Sequence, residues 1–435
     1  MGNYLKSASE LFYASKFQIL NVVLRGLTLA SKFLLVVLLA KMLSPEQIGE
    51  YGLLTVTISY SLYLVGFDFY TYSTREIVSS SHSKWPQMIR DQLVFHLIMY
   101  AAIFPVLILI FTSEILDWKL IGWFYSLLVC EHISQESNRL LIALLRPVMA
   151  SIVMFVRMGA WCYAVMWVMV SSTDFQNLNT VWAGWLAGSL LSVLLSGYAL
   201  KSLPWKNIKG IPIQWSWITK GTKTASYFLA GTLALRGIFT LDRYILKFYC
   251  GIAEVGVYTF FMGIANAMQS FIDAGVIVFI YPKMVGAYRK NNIVEFKKEL
   301  KKLSIGILAS ILVIFSGAAI CIYPLLNYIG KNTYISNMPV FWMLMVAMSV
   351  WCVGMIPHYV LYAKGYDKKI LNITWICFFI FLGCAYFLVK KYAALGIAFS
   401  MLIAFVCMLF LKLLACKNST LKNNTEVANS IASTP

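Results

Sequence analysis

What this sequence has least of is charge. Only 12% of its 435 residues are Asp, Glu, Lys or Arg, against roughly 25% in a soluble domain. Acid is the scarcer sign, with 18 Asp and Glu facing 36 Lys and Arg for a formal net charge of +18. So few charges exclude an ordinary water-soluble domain. The net charge excludes little: basic loops beside anionic lipid explain it better than nucleic acid, which is not expected as a partner. The nine cysteines (Cys130, Cys162, Cys250, Cys321, Cys352, Cys377, Cys384, Cys407, Cys416) include no C-x-x-C pair. Nearly all lie in apolar stretches, where cysteine behaves as a small hydrophobe, so neither a disulfide framework nor a metal site is expected. Also missing is any Ser/His/Asp order, phosphate-binding loop or metal-spaced motif in a loop of useful size. The chain therefore reads as a non-enzyme with no catalytic residues and no cofactor.

What is there is apolar. Hydrophobic residues make up 60% of the chain and the mean hydropathy is +0.74. Runs near the ~20 residues that cross a bilayer recur along its length. They hold too much Gly and Pro, and too little alternation, for barrel strands, which leaves helices. The expected fold is all-α, a polytopic membrane protein with about 12 transmembrane helices. Apolar runs and their breakers place these near 17–41, 48–70, 93–112, 120–145, 148–171, 180–200, 221–247, 253–282, 303–326, 338–363, 370–389 and 393–415. The fourth and seventh are the weakest by hydropathy, since both carry charges. The first sixteen residues suggest a short polar helix (Tyr4, Leu5, Leu11 and Phe12 among Lys6, Glu10 and Lys16). The apolar stretch after them is too long for the core of a cleaved signal.

Lys and Arg set the orientation. With the N-terminus inside, 25 of them fall in inside segments, from Lys6 and Lys16 to Lys412, Lys417 and Lys422. Outside are 6: Lys41, Lys119, Lys247, Lys331, Lys390 and Lys391. Both termini are thus expected in the cytoplasm. The expected organisation is an N-terminal six-helix lobe (1–200), a basic cytoplasmic linker (201–220), a C-terminal six-helix lobe (221–416) and a polar cytoplasmic tail (417–435). The segment 283–302 reads as an amphipathic cytoplasmic helix with Val294 and Leu300 on one side, either on lipid or as a solvated extension. The halves repeat: KMLSPEQIGEY at Lys41–Tyr51 parallels KFYCGIAEVGVY at Lys247–Tyr258. Two parallel halves have their axis along the membrane normal and suit a central cavity.

The stretch Leu34–Ile77, with LLVVLLAKMLSPEQIGEYG and LVGFDFYTYSTREI, resembles the start of polysaccharide-export flippases. Leu241–Tyr288, with LDRYILKFYCGIAEVGVYTF, Asp242-Arg243 and Pro282, resembles the start of their second half. The resemblance is to the multidrug/oligosaccharidyl-lipid/polysaccharide exporter superfamily, and within it to Wzx-type O-antigen and capsule flippases. It implies two six-helix lobes alternating between inward- and outward-open states in a bacterial inner membrane. It implies a lipid-linked oligosaccharide as substrate, and a polysaccharide polymerase and chain-length regulator as candidate partners.

Charges inside spans carry the functional expectations, because each costs ~2.5–3.5 kcal/mol at a helix centre and should face water or a partner. Arg25 and Lys32 are seven apart on one face of the first span, and Arg236 and Arg243 repeat that spacing in the seventh. With Arg157 in the fifth span they form the expected substrate-binding basic cavity, where Arg offers bidentate contacts to pyrophosphate. Snorkelling would equally explain Arg25 and Arg243, and Asp242 is a local partner for Arg243. The fourth span carries Glu131, His132, Glu136 and Arg139, a stripe for proton coupling or for holding the helix in the bundle. Asp68 and Arg75, seven apart in the second span, suggest a structural salt pair or gate. Asp273, alone in the eighth span, suggests a partner for Arg236 or a coupling site. Trp182, Trp185, Trp205, Trp215 and Trp217 are expected as interfacial anchors. A proton or sodium gradient is the candidate driving force.

Four other readings stay open. A cation-coupled multidrug antiporter of the same superfamily should place an acid in the first lobe's cavity, where the first span has only Arg25 and Lys32. A peptidoglycan-precursor flippase should carry two further C-terminal helices. A membrane-embedded polymerase or glycosyltransferase should show an acidic pair in a sizeable loop. An amino-acid permease would need inverted repeats, whereas the repeat here is parallel.

Overall fold

Local signals in the sequence start and stop the helices where the chain turns. Ser44 opens one with a reciprocal capping box, its hydroxyl accepting from the Gln47 N–H while the Gln47 side chain accepts from Ser44 N–H. Asn177 and Asn292 cap two others, and Gly251 takes the positive φ of 86° that the turn after Cys250 demands. The computed structural model describes the backbone of residues 2–432 and the side chains of 20–418 apart from residue 207. The side chains of Lys6, Lys16 and Lys422, those of the short polar helix expected over the first sixteen residues and most of those in the 417–435 tail lie outside the described residues.

All regular structure among the described residues is helical. In chain order come α1 (Gly2–Met42), α2 (Pro45–Gly66), α3 (Tyr70–Ser79), α4 (Trp85–Leu107) and α5 (Ile121–Ala143). There follow α6 (Pro147–Ser171), α7 (Leu178–Leu200), α8 (Trp215–Cys250), α9 (Ile252–Arg289), α10 (Ile293–Ile329), α11 (Met338–Ala363) and α12 (Asp367–Asn418). Among the described residues eight helices are long and apolar enough to cross a membrane, or up to nine if the bent pair α2–α3 is one span. The chain is therefore a multi-pass membrane protein, though length and hydropathy alone do not return twelve spans. The charged α5 and α8, expected as the fourth and seventh spans, are helical but not among the eight. The last two expected spans fall in the single element α12, broken at Ala393 (φ 46°, ψ −128°).

The chain divides into two compact units, Met1–Leu233 and Ala234–Pro435. Contacts inside each unit group the loops by end. Lys119 pairs with Glu50 at 3.0 Å, so the 41–50 and 117–119 connections share one end of the first unit. Glu50 and Asp117 together raise the Lys119 ammonium above its ordinary pKa. At the other end, Arg90 donates to the Ile211 and Pro212 carbonyls, Asp91 accepts from Gln214 N–H and Arg146 donates to Ser202 at 2.9 Å. Three of the basic segments, around Arg90, Arg146 and 201–214, thus meet at one end of the first unit.

Three expectations change. The segment 283–302 is not one amphipathic helix: α9 ends at Arg289, Asn291 turns with φ 56°, and α10 begins at Ile293. The segment's buried apolar side chains are Met284, Ala287 and Phe296, whereas Val294 is 80% exposed. Lys412, counted with an inside segment, is 2% exposed within α12, its ammonium 5.6 Å from the centre of the Trp351 ring. Of the five tryptophans expected as anchors, Trp182, Trp185 and Trp217 are buried. Trp182 stacks on Tyr51 and Trp217 packs edge-on to Phe69, so tertiary packing outcompetes the membrane interface.

The return at Ala393 leaves no room at Gly396, where an added Cβ would lie 2.2 Å from the Leu388 carbonyl oxygen. Backbone cannot yield as a side-chain tip does. Gly396→Ala is expected to lower the amount of membrane-inserted protein severalfold while Gly383→Ala, which meets open space, leaves it unchanged. Equal fluorescence of tagged variants in membranes would contradict this packing.

Candidate functional site: a charged seam in the first unit

The seam is built on α5, because consecutive residues on a helix point about 100° apart and Glu131 and His132 therefore serve two faces. Glu131 is 7% exposed and fully used. One carboxylate oxygen accepts from Trp185 Nε1 at 2.8 Å and from the Ser189 hydroxyl at 2.7 Å, both on α7. The other lies 3.7 Å from the Arg157 guanidinium on α6. Trp161, whose indole N–H donates to the Arg157 carbonyl, stacks on Trp185 with ring planes 9° apart and seals the pair. Lys32 on α1 lies in the electrostatic field of Glu131 and Arg157 and stays accessible.

The second face gathers His132, Glu136 and Arg139 with residues of α4. Tyr100 shares a 2.6 Å hydrogen bond with His132 Nδ1. Gln92 donates to Glu136 at 3.0 Å, and His96 Nε2 lies 3.9 Å from the same carboxylate. The His96 and His132 rings meet edge to face with centres 4.6 Å apart. Arg139 pairs with Glu136, and its guanidinium lies 3.6 Å over the Tyr70 ring. His132 Nε2 is buried with no hydrogen-bond partner. Facing it is Gly66, the last residue of α2, where a Cβ would lie 3.1 Å away. The chain bends directly after that contact. Phe67 and Asp68 take positive φ of 53° and 49°, and α2 and α3 diverge by 53°. A break in α2 therefore abuts the histidines.

Asp68 and Arg75 do not share a helical face, because Asp68 lies in that break, ahead of the start of α3. Asp68 is buried at the bend and its carbonyl accepts from Thr71, whereas Arg75 is exposed with its guanidinium 5.9 Å from the centre of the Phe228 ring. On α1, Arg25 is half-buried with its Nε lacking a hydrogen-bond partner.

In the second unit Arg243 is closed off. It is 6% exposed, pairs with Asp242 at 3.1 Å, and donates to Thr259 and the Phe239 carbonyl; Asp242 also accepts from Tyr258 at 2.9 Å. Arg236 is exposed, and Asp273 lies within its electrostatic reach while accepting from Gln269 at 3.4 Å. Asp273 opens one π-helical turn (Asp273–Ile277) and Arg157 lies in another (Val156–Ala160). Such turns, which fit an extra residue into a helix, recur at functional sites.

The structure thus unites Glu131, Arg157 and Lys32, and separately His132, Glu136 and Arg139. It adds Gln92, His96, Tyr100, Trp185 and Ser189, which sequence reasoning missed. Gln92, His96 and Tyr100 recur every four residues in an otherwise apolar run, and that stripe was the available signal. Lys32, Arg139 and Arg157 outnumber the carboxylates Glu131 and Glu136, leaving the seam basic while its histidines are neutral. Among the described residues no three His, Cys, Asp or Glu side chains converge as a metal site requires.

A family model described as polysaccharide biosynthesis protein matches residues 19–288. No curated protein matches the chain significantly. Among solved structures, the fold resembles an inward-facing multidrug resistance MATE family transporter of the MOP superfamily, with TM-score 0.73 and 14% identity over 92% of this chain and 99% of that one. An outward-facing multidrug resistance MATE family transporter aligns with TM-score 0.63 and 14% identity over 94% of this chain and 96% of that one. An inward closed lipid II flippase, MurJ, aligns with TM-score 0.70 and 13% identity over 92% of this chain and 87% of that one.

Proposed function

Because the chain belongs to the polysaccharide biosynthesis protein family, we propose that it is a flippase for an undecaprenyl-pyrophosphate-linked O-antigen or capsule repeat unit. It carries that unit from the cytoplasmic to the periplasmic leaflet of a bacterial inner membrane by alternating access, both termini lying in the cytoplasm. The family match over residues 19–288 carries this reading. The basic seam of the first unit supports an anionic substrate; Arg25 and Lys32 in that unit are half-buried and accessible cations, and Arg236 in the second unit is likewise an exposed one. Guanidinium groups offer paired N–H donors to pyrophosphate oxygens, worth more where water is scarce. Arg157, fixed by Glu131, holds positive potential beside Lys32 rather than meeting substrate directly.

Energy enters through an ion gradient or through downstream use of the product by polymerase and chain-length partners. For protons, the His96–His132–Glu136 face is the candidate, with the bend after Gly66 as the element it biases. His132→Asn is then expected to leave protein level unchanged within about twofold and to flatten the pH profile of transport in proteoliposomes. An unaltered profile returns His132 to a packing role.

The direct test follows radiolabelled lipid-linked repeat units in the native strain lacking this gene. Units trapped on the cytoplasmic leaflet, with surface glycan lost, are the expected result. Intact units reaching the periplasm would place the protein after flipping. Buried Glu131 and Glu136 favour one second reading, cation-coupled drug antiport, since such carriers need an acid in the first lobe. Unchanged glycan with heightened drug sensitivity would bring it forward.

A further inference from the structure

A groove of about 550 Å³ opens on the first unit where α6 begins and α7 ends. That volume lies in the ~300–1,000 Å³ range of ligand sites. Its floor is apolar, formed by Pro147, Val148, Met149 and Ile152, and its mouth carries Arg146, Lys201 and Ser202. No acid lines it.

The cations are held for use. Arg146 donates through one terminal nitrogen to the Ala199 carbonyl and through the other to Ser202 at 2.9 Å. Two of its five N–H groups are thereby engaged, and the rest stay available on a guanidinium fixed in orientation. Lys201 places its ammonium 3.7 Å from the centre of the Tyr198 ring, exposed on its other side. Next to the groove, Leu145 keeps a left-handed backbone (φ 58°) and 83% exposure, presenting an apolar side chain outward at some conformational cost. The groove opens at the end where the basic segments around Arg90 and Lys206 gather.

We propose that this groove binds one anionic glycerophospholipid of the surrounding leaflet, its phosphate on Arg146 and Lys201 and an acyl chain along Pro147–Ile152. Two cations without a neighbouring acid complement a single phosphodiester, and the apolar floor accounts for a chain that a soluble anion lacks. The site shares no residue with the seam and does not depend on which substrate the protein carries. Anionic lipid would brace the α6–α7 end from outside.

The test is native mass spectrometry of the full-length protein in detergent, titrated with phosphatidylglycerol and, separately, phosphatidylcholine. Phosphatidylglycerol should bind more tightly, and Lys201→Gln should weaken it by roughly fivefold, as expected for one interfacial charge. Arg146→Gln should do the same. Because Arg146 also braces Ala199, the Lys201 variant decides the matter if the Arg146 variant fails to accumulate, with Lys119→Gln, at the other end of the first unit, as the charge control. Equal binding of the two lipids, or no loss in Lys201→Gln, overturns the proposal. So does full competition by inorganic phosphate, which would show a free-anion site. Displacement by undecaprenyl pyrophosphate at far lower concentration would give the groove to a polyprenyl lipid instead.

Discussion

Arg157→Met is expected to cut the amount of membrane-inserted protein severalfold, and Arg157→Met combined with Glu131→Gln to restore it. Alone, the methionine leaves the Glu131 carboxylate buried with only the Trp185 and Ser189 donors on one oxygen. Breaking a buried pair from one side typically costs about 3–5 kcal/mol, whereas replacing both partners by neutral groups is often close to neutral. A glutamine at 131 keeps an oxygen for both donors and carries no charge. Transport should not follow protein level back. The double variant also removes the cation beside Lys32, and surface glycan in that strain is expected below a tenth of the wild-type amount. Quantified membrane fluorescence and glycan blotting of the same cultures read both effects. Normal accumulation of the single variant would show that the pair carries little stability. Normal glycan in the double variant would show that it only braces the helix.

The second large effect contrasts two arginines seven residues apart on α8. Arg243→Gln is expected to deplete the protein, since it leaves Asp242, 0% exposed, with only the Tyr258 hydroxyl and its neighbouring backbone as donors. Arg236→Gln removes a charge from an exposed position and is expected to leave accumulation within about twofold while glycan export drops at least tenfold. Identical behaviour of the two, in either direction, would refute the assignment of Arg243 to structure and Arg236 to substrate. Lys at 236 should recover part of the export, because point charge survives although bidentate geometry is lost.

These contrasts show how far one-dimensional reading reaches. Glu131, His132, Glu136, Arg139 and Arg157 stood out because a charge in an apolar run is costly wherever the helix points. Their counterparts did not. Gln92 fell one residue before the expected third span at 93–112, and single polar residues such as His96 and Tyr100 are inconspicuous among leucines. The division of Glu131 from His132 between two faces depends on which helices flank α5, and that is long-range information. Spacing misled once, at Asp68 and Arg75, because seven residues stack only along an unbroken helix and Asp68 itself sits in the break at 67–69, which no Gly or Pro marks. Lys412 misled differently: five residues before Lys417, it looked like part of a basic end, yet packing against Trp351 draws it inside. Helix positions, by contrast, were legible almost throughout, because bilayer length and breaker residues are local constraints.

The wide turns at Val156–Ala160 and Asp273–Ile277 mean that length, as much as composition, encodes these helices. A π turn accommodates one residue beyond the α count, so every side chain past it is rotated by about 100° relative to an uninterrupted helix. Losing a single residue there would keep hydropathy and helicity nearly intact and yet change the phase of the rod. Arg157 could then keep its depth in the bilayer while Trp161 and Val165 swung off α7, or the reverse. For these two helices an insertion or deletion is therefore a mutation of angle, and the azimuth of an intramembrane charge can change without any charged residue being replaced.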